Sequence, residues 1–240
     1  MKTIEYLFPD AGYLYGDVGH LFLFDQLFET HRVVRTPLSA TPLFAKEDVD
    51  FIYLGAMTER YQRDVITKLM PHRERLWELI EGGVHLLLTH NAMDNVGQTI
   101  NYRGEPYEAL GLFDFTVDVQ RWPRINQFIL GDFDGLGVTA HKSQFTTTVF
   151  GPEMEGKHFF TTLKGMGANP KDKREGIHYK NVYATQCMGP FFVINPPVMK
   201  LILREMGLPE DLPAEASGTA AYETRLAEFG RPRCRQLMEV

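Results

Sequence analysis

Gly82-Gly83-Val84-His85-Leu86-Leu87-Leu88-Thr89 is the most strand-like run in the chain. It is apolar on both faces, as strands in the middle of a parallel sheet are. The two glycines before it stand where the end of a helix needs a C-cap. The helix they close is expected from about Glu59 to Glu81. Further upstream, Phe51-Ile52-Tyr53-Leu54-Gly55 reads as a strand ending in glycine, and His31 to Arg35 as another, stopped before Pro37. Ile4 to Phe8 reads as the first strand, closed by the turn pair Pro9-Asp10. Between them, apolar residues at helical spacing (Leu21, Phe22, Phe24, Leu27, Phe28) predict a helix beginning near Gly16-Asp17.

Strand and helix therefore alternate through residues 1–100, the pattern of a doubly wound α/β layer with a parallel sheet. Beyond residue 100 the texture changes. Phe113 to Val119, Phe128 to Leu130, Thr146 to Phe150 and His158 to Leu163 are β-type runs with few helical patterns between them. Residues 101–206 are expected to add a mixed β extension, a closing strand and a helix from about Pro197 to Met206. Residues 207–240 are expected to form a loop and a last helix over about Ala220–Phe229. The whole is read as one domain of 240 residues, a length that can bury a sizeable core.

Bulk properties narrow the function classes. Apolar residues make up 44% and charged residues 23%, and the net charge is -6 with no basic run. A large phosphate-tracking surface is not expected, so nucleic acid is not a predicted partner. No apolar stretch approaches the roughly 20 residues of a membrane span. The first residues enter a strand without a signal-peptide pattern. Two cysteines, Cys187 and Cys234, make no disulfide framework, and a reducing cytoplasm is the expected compartment.

Four segments in order carry a resemblance. They are Leu7-Phe8-Pro9-Asp10 with Leu14-Tyr15-Gly16-Asp17-Val18-Gly19-His20; Phe51 to Gly55 with Glu59-Arg60 and Gln62; Gly82 to Thr89 running on to Gly97; and Glu175 to Tyr183 running on to Gly189-Pro190 and Asn195-Pro196. Together they resemble the glutaminase subunit of lipid II isoglutaminyl synthase. That family is similar to the amidotransferase domain of cobyric acid synthase. The resemblance implies a class I glutamine amidotransferase-like (flavodoxin-like) α/β fold with a doubly wound mixed sheet. It also implies a Mur-ligase-like synthetase as partner, a glutamine-like small molecule as ligand, and no cofactor.

Glutamine hydrolysis needs a thiolate, a base that activates it and an oxyanion hole. The family places its cysteine on a sharp strand-to-helix turn reading cysteine-glycine-glycine-tyrosine-glutamine. Here that turn reads His90-Asn91-Ala92-Met93-Asp94, so His90 holds the nucleophile position and Asn91 the first elbow glycine. The family's base lies in tyrosine-leucine-histidine-glycine-proline. Here Gln186-Cys187-Met188-Gly189-Pro190 puts Met188 in the base position, and a thioether takes no proton. The glycine triplet near the oxyanion site is Gly55-Ala56-Met57, and the segment Gly137 to His141 keeps only its first and last residues. Glutaminase chemistry is therefore not expected.

Two alternatives to a simple loss remain open on the sequence. One is an enzyme of altered chemistry that uses His90, Cys187 (as a migrated pair) or His141 on a different small substrate, and the other is an amide-ligand-binding subunit that still uses the old glutamine pocket. Side chains alternate along a strand, so Cys187 should face away from the site that Met188 faces. A small buried hydrophobe is the plainer reading of it. His90 reads more simply as a polar residue at a helix start, where the helix end disfavours imidazolium. Arg124, Gly55 and Asn91 are the candidate contacts to a glutamine-like substrate. His85, His90, His141 and His178 fit no tight ligand spacing, so no metal site is expected.

Overall fold

The computed structural model describes residues 1–120 and 122–231; Cys234 lies outside them. The first strands alternate with helices: β1 (Thr3–Leu7), α1 (Val18–Leu27), β2 (Arg32–Thr36), β3 (Phe51–Leu54), α2 (Glu59–Leu69), α3 (Arg73–Glu81) and β4 (His85–Thr89). Then come β5 (Thr99–Tyr102), β6 (Glu105–Glu108), β7 (Phe115–Val119), β8 (Ile125–Phe133), β9 (Leu136–Gln144), β10 (Thr146–Phe150), β11 (Phe160–Lys164), β12 (Arg174–Glu175), β13 (Ile177–Tyr179) and β14 (Val182–Thr185). The chain closes with α4 (Phe191–Ile194), α5 (Pro196–Glu205) and α6 (Glu215–Glu228).

The central sheet has the order β13-β14-β4-β3-β1-β2. All its pairings are parallel except β13 with β14. Every residue of β3 and β4 is buried, as their unbroken apolar runs require. Alternation divides them between two cores. Ile52, Leu54, Leu86 and Leu88 pack with Val65 and Leu69 of α2 and Leu76 and Ile80 of α3. Phe51, Tyr53 and Leu87 pack with Phe24 and Phe28 of α1 and Val198, Ile202 and Leu203 of α5. Helices thus cover both faces, and the fold is the doubly wound α/β arrangement expected.

Three expectations change. The helix over residues 59–81 is broken into α2 and α3 by a tight turn at Met70–His72. Pro71 lacks an N–H and its ring crowds the preceding turn, which ends a helix. The β-runs after residue 100 do not simply extend the central sheet. They form two further four-stranded sheets, β10-β7-β5-β6 and β12-β11-β8-β9, and only β13 and β14 join the centre. Ile100, Phe115 and Val117 of the first pack on the α2 and α3 side, and Ile129, Val138 and Phe160 of the second on the α1 and α5 side. The last helix starts at Glu215, earlier than the expected Ala220. No helix among the described residues is long and apolar enough to cross a membrane.

Candidate functional site

Four chain segments leave the carboxyl ends of parallel strands and converge, where open α/β sheets place their ligand sites. They are Phe8–Asp17 after β1, Gly55–Met57 after β3, His90 after β4 and Gln186–Met188 after β14. Asp17 ties them together. It is fully buried, and its Oδ2 accepts from the Ala56 N–H at 2.5 Å and the Thr89 hydroxyl at 2.7 Å. A Cβ on Gly189 would fall 1.9 Å from Asp17 Oδ1, and one on Gly55 only 2.3 Å from the Tyr13 ring and 2.8 Å from Asp17 Oδ2. Glycine at both positions is thus a packing requirement. Gly55, expected as a substrate contact, stands against Tyr13 and Asp17. Behind Asp17 a buried relay continues: the Phe192 N–H donates to His20 Nε2 (2.9 Å), which leaves the His20 Nδ1 hydrogen for the Tyr53 hydroxyl (2.6 Å). Tyr53 in turn lies 3.2 Å from Thr89 Oγ1.

His90 follows β4 directly and adopts φ +54°, the left-handed region that a non-glycine residue enters only at a cost. A sharp elbow therefore stands at residue 90, carrying imidazole. The turn behind it, His90–Val96, is a 3-10 helix in place of the helix expected there, and Gly97 closes it. His90 is 8% exposed; its Nε2 faces the Ser143 carbonyl at 3.4 Å, its ring lies 5.2 Å from that of Tyr15, and Nδ1 has no hydrogen-bond partner. Burial lowers its pKa, so the neutral imidazole prevails at pH 7.

Asn91 is fixed on both sides: the Met57 N–H donates to its Oδ1 (3.0 Å), and its Nδ2 donates to the Met57 carbonyl (2.8 Å). The carboxamide expected to meet a substrate is therefore committed to the protein's own backbone. Met188 is half-buried, and its N–H donates to the His141 carbonyl at 2.9 Å, which places β9 beside residue 188. His141 lies partly open, with Nε2 2.9 Å from Asn126 Oδ1. Burial, and then the nearby Arg124 guanidinium, lower its pKa. Arg124 itself is exposed and lies over the Phe145 ring at 5.3 Å.

Cys187 is fully buried among Leu87, Tyr53 and Phe191 on the α1 and α5 side. Burial, helped by Glu175, pushes its thiol well above the usual range. A thiol held protonated is a poor nucleophile. Its neighbourhood, with Lys142 and Glu175, differs from the Tyr15 and Ser143 surroundings of His90.

Sequence reading missed a buried polar chain beneath the elbow. Asp94 accepts from Gln186 Nε2 and, at 3.5 Å, from Gln62 Nε2. Burial pushes its carboxyl up to about 7. The Gln186 N–H donates to Glu175, which pairs with Lys142 at 3.4 Å, both fully buried. The one available signal was polar residues, Lys142 and Gln144, at alternate positions of an otherwise strand-like segment. Among the described residues no group of three or more His, Cys, Asp or Glu is placed to hold a metal ion.

No family model matches the chain. It is 27% identical over 223 residues to the lipid II isoglutaminyl synthase (glutamine-hydrolyzing) subunit GatD of Staphylococcus aureus (strain N315), covering 89% of this chain and 87% of that protein. To the same-named subunit of Streptococcus pneumoniae (strain R6) it is 23% identical over 206 residues, 80% of this chain and 75% of the relative. A crystal structure of a glutamine amidotransferase superposes with a TM-score of 0.54 at 15% identity, covering 85% of this chain and 99% of that one. Along most of its length the chain is thus similar to the GatD subunits of lipid II isoglutaminyl synthase, on the fold of the class I glutamine amidotransferases.

Proposed function

We propose that this protein is a non-catalytic amidotransferase-like subunit, a pseudo-glutaminase that keeps the fold in order to bind a synthetase partner. The observation that carries this is the elbow. Its left-handed backbone is kept at residue 90, while the side chain there is a buried imidazole and the base position holds Met188. Neither residue supplies a nucleophilic thiolate, and the one described thiol, Cys187, is buried and held protonated. The relatives are named as subunits of a synthase, which supports a partner of the Mur-ligase-like class and a place in amidation of cell-wall type.

The test is ammonia release from glutamine by the purified chain, alone and with a co-purified partner. Loss of a catalytic nucleophile costs on the order of a millionfold in kcat in a well-studied protease, so release at background is expected. Release that disappears in Cys187→Ala would overturn the reading and favour an enzyme of altered chemistry.

A further inference from the structure

The loop after β3 and the elbow after β4 meet through one side chain. Asn91 engages a single residue, Met57, through both its acceptor and its donor, at 3.0 and 2.8 Å. This is the two-way pairing that one strand makes with another, supplied by a carboxamide. Both residues are buried, Asn91 to 6% and Met57 to 2% exposure. The contact is braced from behind, where Gln62 Nε2 donates to the Asn91 carbonyl at 2.9 Å. The preceding N–H, of Ala56, is taken by Asp17. Backbone N–H groups beside such an elbow are what a pocket offers to a carbonyl or carboxylate oxygen. Here the protein's own oxygen atoms already fill both.

We propose that Asn91 is an internal stand-in for an amide ligand. Its carboxamide holds Met57 and denies that N–H to ligands that would reach the strand ends with a carbonyl or carboxylate oxygen. The proposal rests on the non-catalytic reading and deepens it by naming the residue that decides which ligands the strand ends reject. The physical reason is competition. An incoming amide must displace two hydrogen bonds made by a tethered group, and it alone loses translational and rotational freedom on binding. Residue type matters as well. Aspartate can still accept from the Met57 N–H and, in the protonated form that burial favours, donate to the Met57 carbonyl, whereas alanine leaves the N–H open.

The test compares the full chain with Asn91→Ala and Asn91→Asp, all ¹⁵N-labelled, with L-glutamine as the probe. Hydrogen exchange at the Met57 amide reports the internal contact, and the glutamine-induced shift of that amide reports entry. In the parent protein the amide is protected and glutamine leaves it unmoved. In Asn91→Ala exchange is about tenfold faster, the equivalent of one hydrogen bond, and glutamine shifts the resonance. Asn91→Asp retains protection and still refuses glutamine, and it carries the comparison should the alanine variant fail to fold. Glutamine moving the Met57 amide of the parent protein would overturn the proposal. So would an alanine variant that frees the amide and remains blind to glutamine, or an aspartate variant that admits it. None of these variants adds a thiol, so ammonia release stays a separate readout that breaks only the non-catalytic reading.

Discussion

Asp17 and His90 are separated by a single residue in the contact network, since Asp17 holds the hydroxyl of Thr89 and His90 follows it. Their circumstances are opposite. Asp17 takes two strong hydrogen bonds from two strand ends and packs against the glycine of a third segment. His90 makes one long hydrogen bond, leaves Nδ1 without a partner and sits in a strained backbone region. The difference teaches which residues the fold requires. Asp17 is constrained by the geometry of three converging segments. Residue 90 is constrained by the elbow that any occupant must adopt and by little else.

The largest expected effect breaks the Asp17 side. Asp17→Ala would leave the Ala56 N–H and the Thr89 hydroxyl buried without acceptors. Each orphaned group costs about 1–3 kcal/mol, so a loss of about 3 kcal/mol or more is expected in chemical denaturation. A loss below 1 kcal/mol would show that the strand ends do not depend on Asp17.

Next comes Asp94, beneath the elbow. Its carboxyl is raised to about 7 by burial, above its ordinary value of 3.8. The folded state therefore holds this proton more tightly than the unfolded chain does. Stability from Asp94 is fully present below about pH 4 and is lost as pH rises toward 7. Asp94→Asn removes the ionisation. Relative to the parent it should gain on the order of 4 kcal/mol between pH 4 and 7, read as the difference in unfolding free energy across that window. A difference independent of pH would remove the buried acid from the account.

The smallest effect is on the other side of the comparison. His90→Gly relieves a left-handed residue, worth about 1–2 kcal/mol, but loses the contact with Tyr15 and adds backbone entropy to the unfolded chain. The net change should fall within about 1 kcal/mol of zero. A large loss would make His90 as structural as Asp17 and close the contrast.

The elements around β4 were legible because their signals are local. The run Val84–Thr89 is apolar on both faces, and Gly82-Gly83 close the helix before it. β9 was not legible. Thr139 and Lys142 are buried in it, satisfied by Asn195 and by Gly167 with Glu175. Polar residues buried by distant partners erase the alternation on which strand recognition depends. The Asn91 contact to Met57 was hidden for the same reason, because only the folded chain brings residues 57 and 91 together. The break at Pro71 has a local signal, the proline itself, which lies beneath the stronger helical period on either side.

β14 pairs in parallel with β4, setting Val182 against Leu86 about a hundred residues earlier in the chain. The consequence is one of timing. During synthesis, β1 to β4 can associate as soon as they are made, but one edge of β4, an apolar central strand, then has no partner until residue 185 has emerged. Pairings of such sequence separation form slowly, and an unpaired apolar edge is where chains join one another. The open edge of β4 therefore persists while residues 90–181 are being made, the interval in which aggregation is expected to threaten the chain most.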